Sequence, residues 1–135
     1  MSAGRILLVD DDAAVRKSVR LTLAKAGYEV VDAEDGVQGV QAIRAGDNPL
    51  MVDTIICDLN MPKMDGREAI RFFRSQFPSV PVIVLTGYPE SLSGEWLQDQ
   101  SVTAVLTKPA QADDLIDAVD MAAQEHELFK DQFVV

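Results

Sequence analysis

Apolar residues along the chain fall into two alternating patterns. Short continuous runs of strand length, rich in β-branched residues, cover residues 5–10, 28–33, 52–58, 80–86 and 103–107. Between these runs, apolar positions recur every three or four residues, which predicts helices over residues 13–26, 35–47, 67–77 and 111–128. A further helix, short and mobile, is predicted within residues 89–100, where serine and glycine are weak helix formers.

The regular alternation of strand and helix predicts an α/β fold. Each strand is apolar almost throughout, which is typical of a parallel sheet covered by helices on both faces. Right-handed crossovers then give a doubly wound five-stranded parallel sheet with the flavodoxin-like order 2-1-3-4-5, and a site at the carboxyl ends of the strands. No glycine-rich phosphate loop follows the first strand, which disfavours a dinucleotide-binding fold.

Length and charge restrict the function. The 135 residues suffice for one domain and are few for two. A net charge of -10 argues against direct binding of nucleic acid or of an anionic membrane surface. Apolar runs stay well short of the roughly eighteen residues of a membrane span, and acidic residues follow the N-terminus too closely for a signal peptide. We therefore expect a cytoplasmic protein.

The domain is expected to cover residues 1–128, followed by an apolar tail at 129–135. We expect the tail to pack against the domain; a dimer contact or a truncated linker is the alternative. The single cysteine, Cys57, cannot form an internal disulfide. It lies inside the apolar run TIIC, so it is expected to be a buried small residue. His126 stands between two glutamates and is expected at the surface.

Carboxylates gather at two predicted strand ends. Asp10, Asp11 and Asp12 end the first strand, and Asp58 ends the third, which would be its neighbour in the sheet. Two like charges about 4 Å apart repel by about 4 kcal/mol at an effective dielectric constant of 20. Either their pKa values rise, or a hard divalent cation lies among them, and oxygen ligands suit Mg²⁺. The metal site is the more economical interpretation.

Two other strand ends supply groups that a phosphoryl group needs. The fourth strand ends in Thr86-Gly87, a hydroxyl and an open backbone N–H, and the fifth ends in Lys108-Pro109, a cation of long reach. Taken singly, an aspartate after a strand is commonly a helix N-cap, and a lysine a solvated charge. Their occurrence on four strand ends favours Asp58 as a nucleophile toward phosphorus.

The motifs LLVDDD, DLNMPKMDG, VLTG and LTKP occur in this order over essentially the whole chain. With them the chain resembles the response regulator receiver domain of two-component signalling, a member of the CheY-like superfamily. The resemblance implies that Asp58 accepts a phosphoryl group from a sensor histidine kinase or a histidine phosphotransfer protein. It also implies that Thr86 and Lys108 bond the phosphoryl oxygens.

The same resemblance implies a Mg²⁺ cofactor. Asp11 would ligate the ion directly and Asp10 through water, with Asp58 and the backbone carbonyl of Asn60 as further ligands. Asp12 more simply caps the first helix. The resemblance implies a phosphoacceptor signalling domain with intrinsic autophosphatase chemistry rather than an enzyme. Its partners would be the phosphodonor and a downstream protein target, and it would be a monomer or weak dimer.

Two positions depart from the family pattern. Val105 stands three residues before Lys108, where receiver domains usually carry Tyr or Phe, and Ala110 stands where Phe is frequent. A valine has no ring that could turn inward with the hydroxyl of the fourth strand. We therefore hypothesise that signalling proceeds through ordering of residues 88–100. Tyr88 and Asn60 occupy positions that, by resemblance, tune hydrolysis of the acyl phosphate.

Other functions remain open at this point. A phosphate-independent adaptor would keep the fold but has no need of clustered carboxylates. A metal-dependent phosphatase working through an aspartyl phosphate needs an acid two residues after the nucleophile, where Asn60 stands and cannot donate a proton as a general acid. A single-domain regulator or phosphate shuttle is our first interpretation, and a receiver excised from a hybrid kinase or multidomain regulator would have the same sequence.

Overall fold

The computed structural model describes residues 3–61, 64–89 and 92–129. Five strands form one sheet: β1 (Gly4–Val9), β2 (Tyr28–Ala33), β3 (Val52–Cys57), β4 (Val82–Thr86) and β5 (Ala104–Thr107). The helices are α1 (Ala13–Lys25), α2 (Gly36–Arg44), α3 (Asn48–Met51), α4 (Gly66–Gln76), α5 (Gly94–Asp99) and α6 (Ala112–Phe129). The elements alternate as the hydrophobic pattern predicts.

The sheet is parallel throughout and its order is β2-β1-β3-β4-β5. Helices α1 and α6 contribute to the apolar cluster on one face, and α2, α4 and α5 contribute to the cluster on the other. The predicted doubly wound fold with the order 2-1-3-4-5 is confirmed. The central strands β1, β3 and β4 carry most of the fully buried side chains, since helices cover both of their faces.

The helix predicted over residues 35–47 is shorter than expected, and a separate turn follows it. Helix α2 ends at Arg44, and α3 begins at Asn48 with Pro49 in its first turn. Gly46 between them has a φ of +54°, a left-handed conformation that interrupts a helix. Proline in a first helical turn lacks only an N–H that would have no partner there, so it starts α3 without cost.

His126 lies inside the protein, and the expectation of a surface position was wrong. Its side chain is only 11% exposed. The residue shares the inner face of α6 with Leu115, Val119 and Ala122, at helical spacing, and this periodicity outweighs the two flanking glutamates. Its Nδ1 lies 3.1 Å from the carbonyl oxygen of Ser79, and because a carbonyl only accepts, Nδ1 carries the proton.

Helix α4 begins in direct contact with the backbone that follows β3. The N–H of Gly66 donates to the carbonyl oxygen of Leu59 at 2.8 Å, and Asp65 caps the helix by accepting from the N–H of Arg67 at 2.8 Å. A Cβ at Gly66 would lie 1.9 Å from the main-chain oxygen of Asp58. The close approach therefore requires glycine.

Several other sequence-based expectations have an outcome here. Cys57 is fully buried, as predicted. Val105 is partly buried and packs against the apolar cluster of α2, α4 and α5. None of the helices in the described ranges is long and apolar enough to cross a bilayer. The tail at residues 130–135 and the side chain of Phe129 lie outside the described residues, so the expectation that the tail packs on the domain remains a prediction.

Candidate functional site

Three carboxylates meet at the carboxyl ends of β1 and β3. The strands are hydrogen-bonded neighbours, and the N–H of Asp58 donates to the carbonyl oxygen of Val9 at 2.9 Å. One carboxylate oxygen from each of Asp10, Asp11 and Asp58 lies within 4.8 Å of the others. Asp10 is fully buried and Asp58 is 4% exposed, whereas Asp11 is exposed. The predicted acidic cluster therefore forms, with an open side at Asp11.

A pocket of about 400 Å³ opens over this cluster. Three loops line it, those that follow β1, β3 and β4, together with the end of β5: Asp11, Asp12, Asp58, Asn60, Gly87, Tyr88 and Lys108. The pocket contains both polar and apolar surface, and its acidic floor is reached from solvent. Such a concave site at the switch point of a doubly wound sheet is the usual position of a ligand site in this architecture.

The loop after β1 is held by several backbone hydrogen bonds. The N–H of Asp10 donates to the carbonyl oxygen of Ala33 at 3.1 Å, and Oδ1 of Asp10 accepts from the N–H of Asp12 at 2.8 Å. Asp12 in turn accepts from the N–H groups of Ala14 and Val15, so it caps α1 as expected. These contacts hold the first acidic residues in a fixed turn at the mouth of the pocket.

Both oxygens of the Asp58 carboxylate have partners. Oδ1 accepts from the N–H of Leu59 at 2.7 Å, and Oδ2 lies 3.0 Å from Nζ of Lys108. Burial raises the pKa of Asp58, as does the charge of Asp10, while the contact with Lys108 lowers it; the net direction is upward. Asp58 is thus a carboxylate whose ionised form depends on a nearby cation.

Lys108 lies between the two buried carboxylates. Its Nζ is 2.7 Å from Oδ2 of Asp10 and 3.0 Å from Oδ2 of Asp58, and its side chain is 20% exposed. Burial alone would lower the pKa of Lys108, but the contacts with Asp10 and Asp58 outweigh burial and raise it. The lysine is therefore charged and offsets part of the negative charge of the cluster.

Thr86 ends β4 beside the pocket but does not line it. Its side chain is fully buried, and Oγ1 accepts from the N–H of Tyr88 at 3.1 Å. Gly87 and Tyr88 are the residues of this strand end that line the pocket. Of the predicted site residues, Asp11, Asp58, Asn60 and Lys108 therefore line one cavity. Asp10 is buried next to Asp58 and Lys108 and does not line it. The hydroxyl of Thr86 would have to turn to reach it.

Arg16 is a site neighbour that the sequence motifs did not single out. It lies in the first turns of α1, and its Nη1 donates to the main-chain oxygen of Asp10 at 2.7 Å. Its position four residues after the N-cap Asp12 is the only signal in the sequence, since such a residue lies on the face of the helix above the cap.

The donor set fits a hard divalent cation. It consists of three carboxylates on two adjacent loops, with one of them exposed toward the pocket. Oxygen ligands of this kind, completed by water, are those that Mg²⁺ accepts, whereas the described residues offer no histidine or thiolate in the cluster. Oδ2 of Asp10 is buried, and its charge is met by the ammonium group of Lys108.

The sheet order together with an acidic pocket and a lysine at the strand ends defines a class of α/β signalling domain. The family model of the response regulator receiver domain matches residues 6–120, and the chain belongs to this family. Members of the family act in two-component signalling with kinases, and a phosphoacceptor role is consistent with the site described above.

Relatives of known name agree with this assignment. The transcriptional regulatory protein GlrR of Escherichia coli strain K12 is 37% identical over 120 residues, which are 89% of this chain and 26% of GlrR. The response regulator MprA of Mycobacterium ulcerans strain Agy99 is 46% identical over 82 residues, 61% of this chain and 34% of MprA. The chain thus matches only about a quarter to a third of the length of these relatives.

Solved structures of similar length show the same fold. A response regulator receiver domain protein from Clostridium thermocellum superposes with a TM-score of 0.85 at 27% identity, and the match covers 93% of this chain and 98% of the other. A CheY-like receiver domain protein from Methanospirillum hungatei gives a TM-score of 0.82 at 29% identity with the same coverage.

Proposed function

We propose that Asp58 accepts a phosphoryl group in the presence of Mg²⁺ and that the donor is a sensor histidine kinase or a histidine phosphotransfer protein. The observation that carries this proposal is the placement of Asp58. Its carboxylate lines an open pocket, lies within 4.8 Å of oxygens of Asp10 and Asp11, and has Lys108 at 3.0 Å. A single carboxylate is a poor nucleophile in isolation, and this arrangement supplies what it lacks.

Each residue would have a separate task in the transfer. A carboxylate oxygen of Asp58 attacks phosphorus, a P–O bond forms, and the P–N bond to the donor imidazole breaks with its electron pair remaining on nitrogen. Asp10, Asp11, Asp58 and the backbone carbonyl of Asn60 would hold Mg²⁺, which supplies charge neutralisation for the approaching phosphoryl oxygens. Lys108 would release Oδ2 of Asp10 and bond a phosphoryl oxygen, and the Thr86 hydroxyl would turn toward another.

We further propose intrinsic autophosphatase chemistry rather than turnover of a separate substrate. The acyl phosphate would be hydrolysed by water that enters the same pocket. Asn60 and Tyr88 both line the open side, and Tyr88 is 62% exposed. These two side chains would therefore control how water reaches phosphorus. The described pocket holds no histidine that would serve as a general base for a rapid hydrolase.

The partners follow from the same proposal. A chain with a net charge of -10 suits recognition by proteins rather than direct contact with nucleic acid or an anionic membrane, and a cytoplasmic location fits a kinase-fed signalling domain. A downstream protein target would read the phosphorylated state, and a monomer or weak dimer is expected. Because the match covers only 26% of GlrR and 34% of MprA, a regulator with further domains is as compatible with the chain as a single-domain regulator.

Incubation with acetyl phosphate and Mg²⁺ tests the proposal. Intact mass should increase by one phosphoryl group in the wild-type protein and in Asp53→Asn, which changes an aspartate at the opposite end of β3. Asp58→Asn should gain none. An adduct that persists in Asp58→Asn would place the nucleophile elsewhere, and no adduct on the wild-type protein at any Mg²⁺ concentration would favour the phosphate-independent adaptor.

A further inference from the structure

Arg16 connects the acidic loop to the neighbouring strand end. Its side chain is only 14% exposed. Nη1 donates to the main-chain oxygen of Asp10 at 2.7 Å, while Nε lies 3.7 Å from Oδ2 of Asp32 and Nη2 lies 4.0 Å from Oε1 of Glu34. Asp32 lies in β2, and Glu34 follows this strand directly. These two carboxylates hold the guanidinium on the side of β2, while its Nη1 bonds the loop after β1.

The main-chain oxygen of Asp10 lies between the two acidic residues of this loop that belong to the cluster. It belongs to the peptide unit that joins Asp10 to Asp11, two residues that both contribute a carboxylate to the acidic cluster. The N–H of Asp10 is already bonded to Ala33. With the oxygen bonded to Arg16 as well, the peptide units on both sides of Asp10 have a hydrogen-bond partner, which restrains the backbone from which both carboxylates project.

We infer that Arg16 is a positioning residue for divalent cation binding, because it fixes the peptide between Asp10 and Asp11 so that both carboxylates face one ion. The inference rests on the proposed function, since it concerns the cation of the same site. Arg16 itself lines no part of the described pocket, and its guanidinium bonds the main chain of Asp10, not the carboxylate of a proposed ligand. It acts through the backbone of Asp10 alone.

A purely electrostatic role predicts the opposite result. Arg16 is a cation close to an acidic site, so removing it would leave the site more negative and strengthen the binding of Mg²⁺. A positioning role predicts that removal weakens binding, because the loop loses a contact that holds two ligands in place. The sign of the change in the dissociation constant therefore separates the two roles.

Arg20 provides a matched control on the same helix. It lies one turn after Arg16 and carries the same charge, and its Nη1 bonds Oδ1 of Asp32 at 3.1 Å. Its side chain is 53% exposed, and its hydrogen bond and ion pair are both with Asp32, not with Asp10. Removing Arg20 thus changes the local charge and a contact with Asp32 without touching the acidic loop.

The test is calorimetric titration of Mg²⁺ into the unphosphorylated protein. Arg16→Met should weaken binding roughly tenfold, the usual scale for groups that orient metal ligands. Arg20→Met should leave the dissociation constant unchanged or slightly lower. Urea unfolding of each variant checks that the fold persists. Equal or tighter binding by Arg16→Met, or an equal weakening by both variants, would overturn the inference.

Two conservative variants, Arg16→Lys and Arg20→Lys, test the inference if Arg16→Met does not fold. Arg16→Lys keeps the charge but replaces the fork with a single amine, so it should weaken binding by a smaller factor of about three, and Arg20→Lys should not. If both lysine variants bind as the wild-type protein does, the inference falls. Wild-type protein that binds no Mg²⁺ and gains no phosphoryl mass would instead overturn the proposed function, which makes the two failures distinguishable.

Discussion

Nζ of Lys108 lies 2.7 Å from Oδ2 of Asp10, a carboxylate that solvent does not reach. The lysine thus compensates the charge of this buried carboxylate in the absence of a metal ion. Under the proposed function, a divalent cation held by Asp10, directly or through water, would take over this compensation and compete with the ammonium group. The lysine would then be available to a phosphoryl group in the pocket.

This competition gives a first prediction. Lys108→Met should destabilise the metal-free protein by about 2 kcal/mol, because two buried carboxylates lose their cation. Mg²⁺ should restore more stability to this variant than to the wild-type protein, because the ion meets no competitor for Asp10. Urea unfolding with and without Mg²⁺ measures both effects. Lys17→Met, an exposed lysine on α1, is the control, and a smaller Mg²⁺ effect in Lys108→Met would contradict the competition.

The second prediction concerns pH. The folded state raises the pKa of Asp58, so between the ordinary and the raised value the folded protein binds more protons than the unfolded chain. Without Mg²⁺, this residue's contribution to stability should therefore fall as pH rises through that window and stay constant above it. Asp58→Asn lacks this loss and should be more stable at neutral pH by about 1 kcal/mol.

Unfolding curves at a series of pH values, without metal, follow the difference between the two proteins. The difference should widen from acid to neutral pH and then level off. A wild-type protein that is more stable than Asp58→Asn throughout the range would mean that Lys108 more than compensates for the burial of the carboxylate.

A third prediction addresses Thr86. Its hydroxyl is buried and bonded to the N–H of Tyr88, so turning toward a phosphoryl group must release that N–H. Beryllofluoride, a phosphoryl mimic, should therefore change hydrogen exchange across residues 88–100 in the wild-type protein. Thr86→Ala should lose this change while its affinity for Mg²⁺ stays within about twofold.

Thr107→Ala is the control for this experiment, because Thr107 pairs with Thr86 in register at the end of β5 but is exposed. It should respond to beryllofluoride as the wild-type protein does. Unchanged protection of residues 88–100 in the wild-type protein would remove the hypothesis that this segment transmits the signal in place of an aromatic residue at Val105.

The fourth prediction concerns the amino ends of β3 and β4, at the other end of the strands from the acidic pocket. His126 is bonded to the carbonyl of Ser79, and its Nε2 lies 3.6 Å from Oδ1 of Asp53. His126→Ala should cost about 2 kcal/mol of unfolding free energy, because a partly buried carbonyl loses its partner and a space opens under α6. Gln124→Ala, on the exposed side of the same helix, should cost a few tenths at most. Equal losses would refute a specific role for His126.

Much of the site could be predicted because a parallel sheet brings strand ends to one edge. Asp10, Asp58 and Lys108 each follow a strand directly, so the strand order alone brings them together. No side-chain detail was needed for this step. The sequence also predicted that Asp12 would cap α1, since the N-cap preference is local.

Other features depend on contacts that no local pattern contains. The bond from Arg16 to the oxygen of Asp10 requires the path of the loop and the position of β2, and neither is encoded by the residues around Arg16. The pairing of Lys108 with two carboxylates depends on lysine conformation. His126 is buried because helical spacing places it on the inner face of α6, while the two flanking glutamates point to a surface position and give no information about that face.

Gly66 brings the start of α4 into direct contact with the main chain of Asp58 and Leu59. No side chain separates the first turn of α4 from the main-chain oxygen of Asp58, and an added Cβ there would lie 2.5 Å from Cα of Leu59, against rigid backbone. The residue proposed to carry the phosphoryl group and the start of a helix on the outer layer therefore touch through main chain alone. A displacement of the Asp58 backbone would meet no soft side chain at this contact and would press directly on the start of α4.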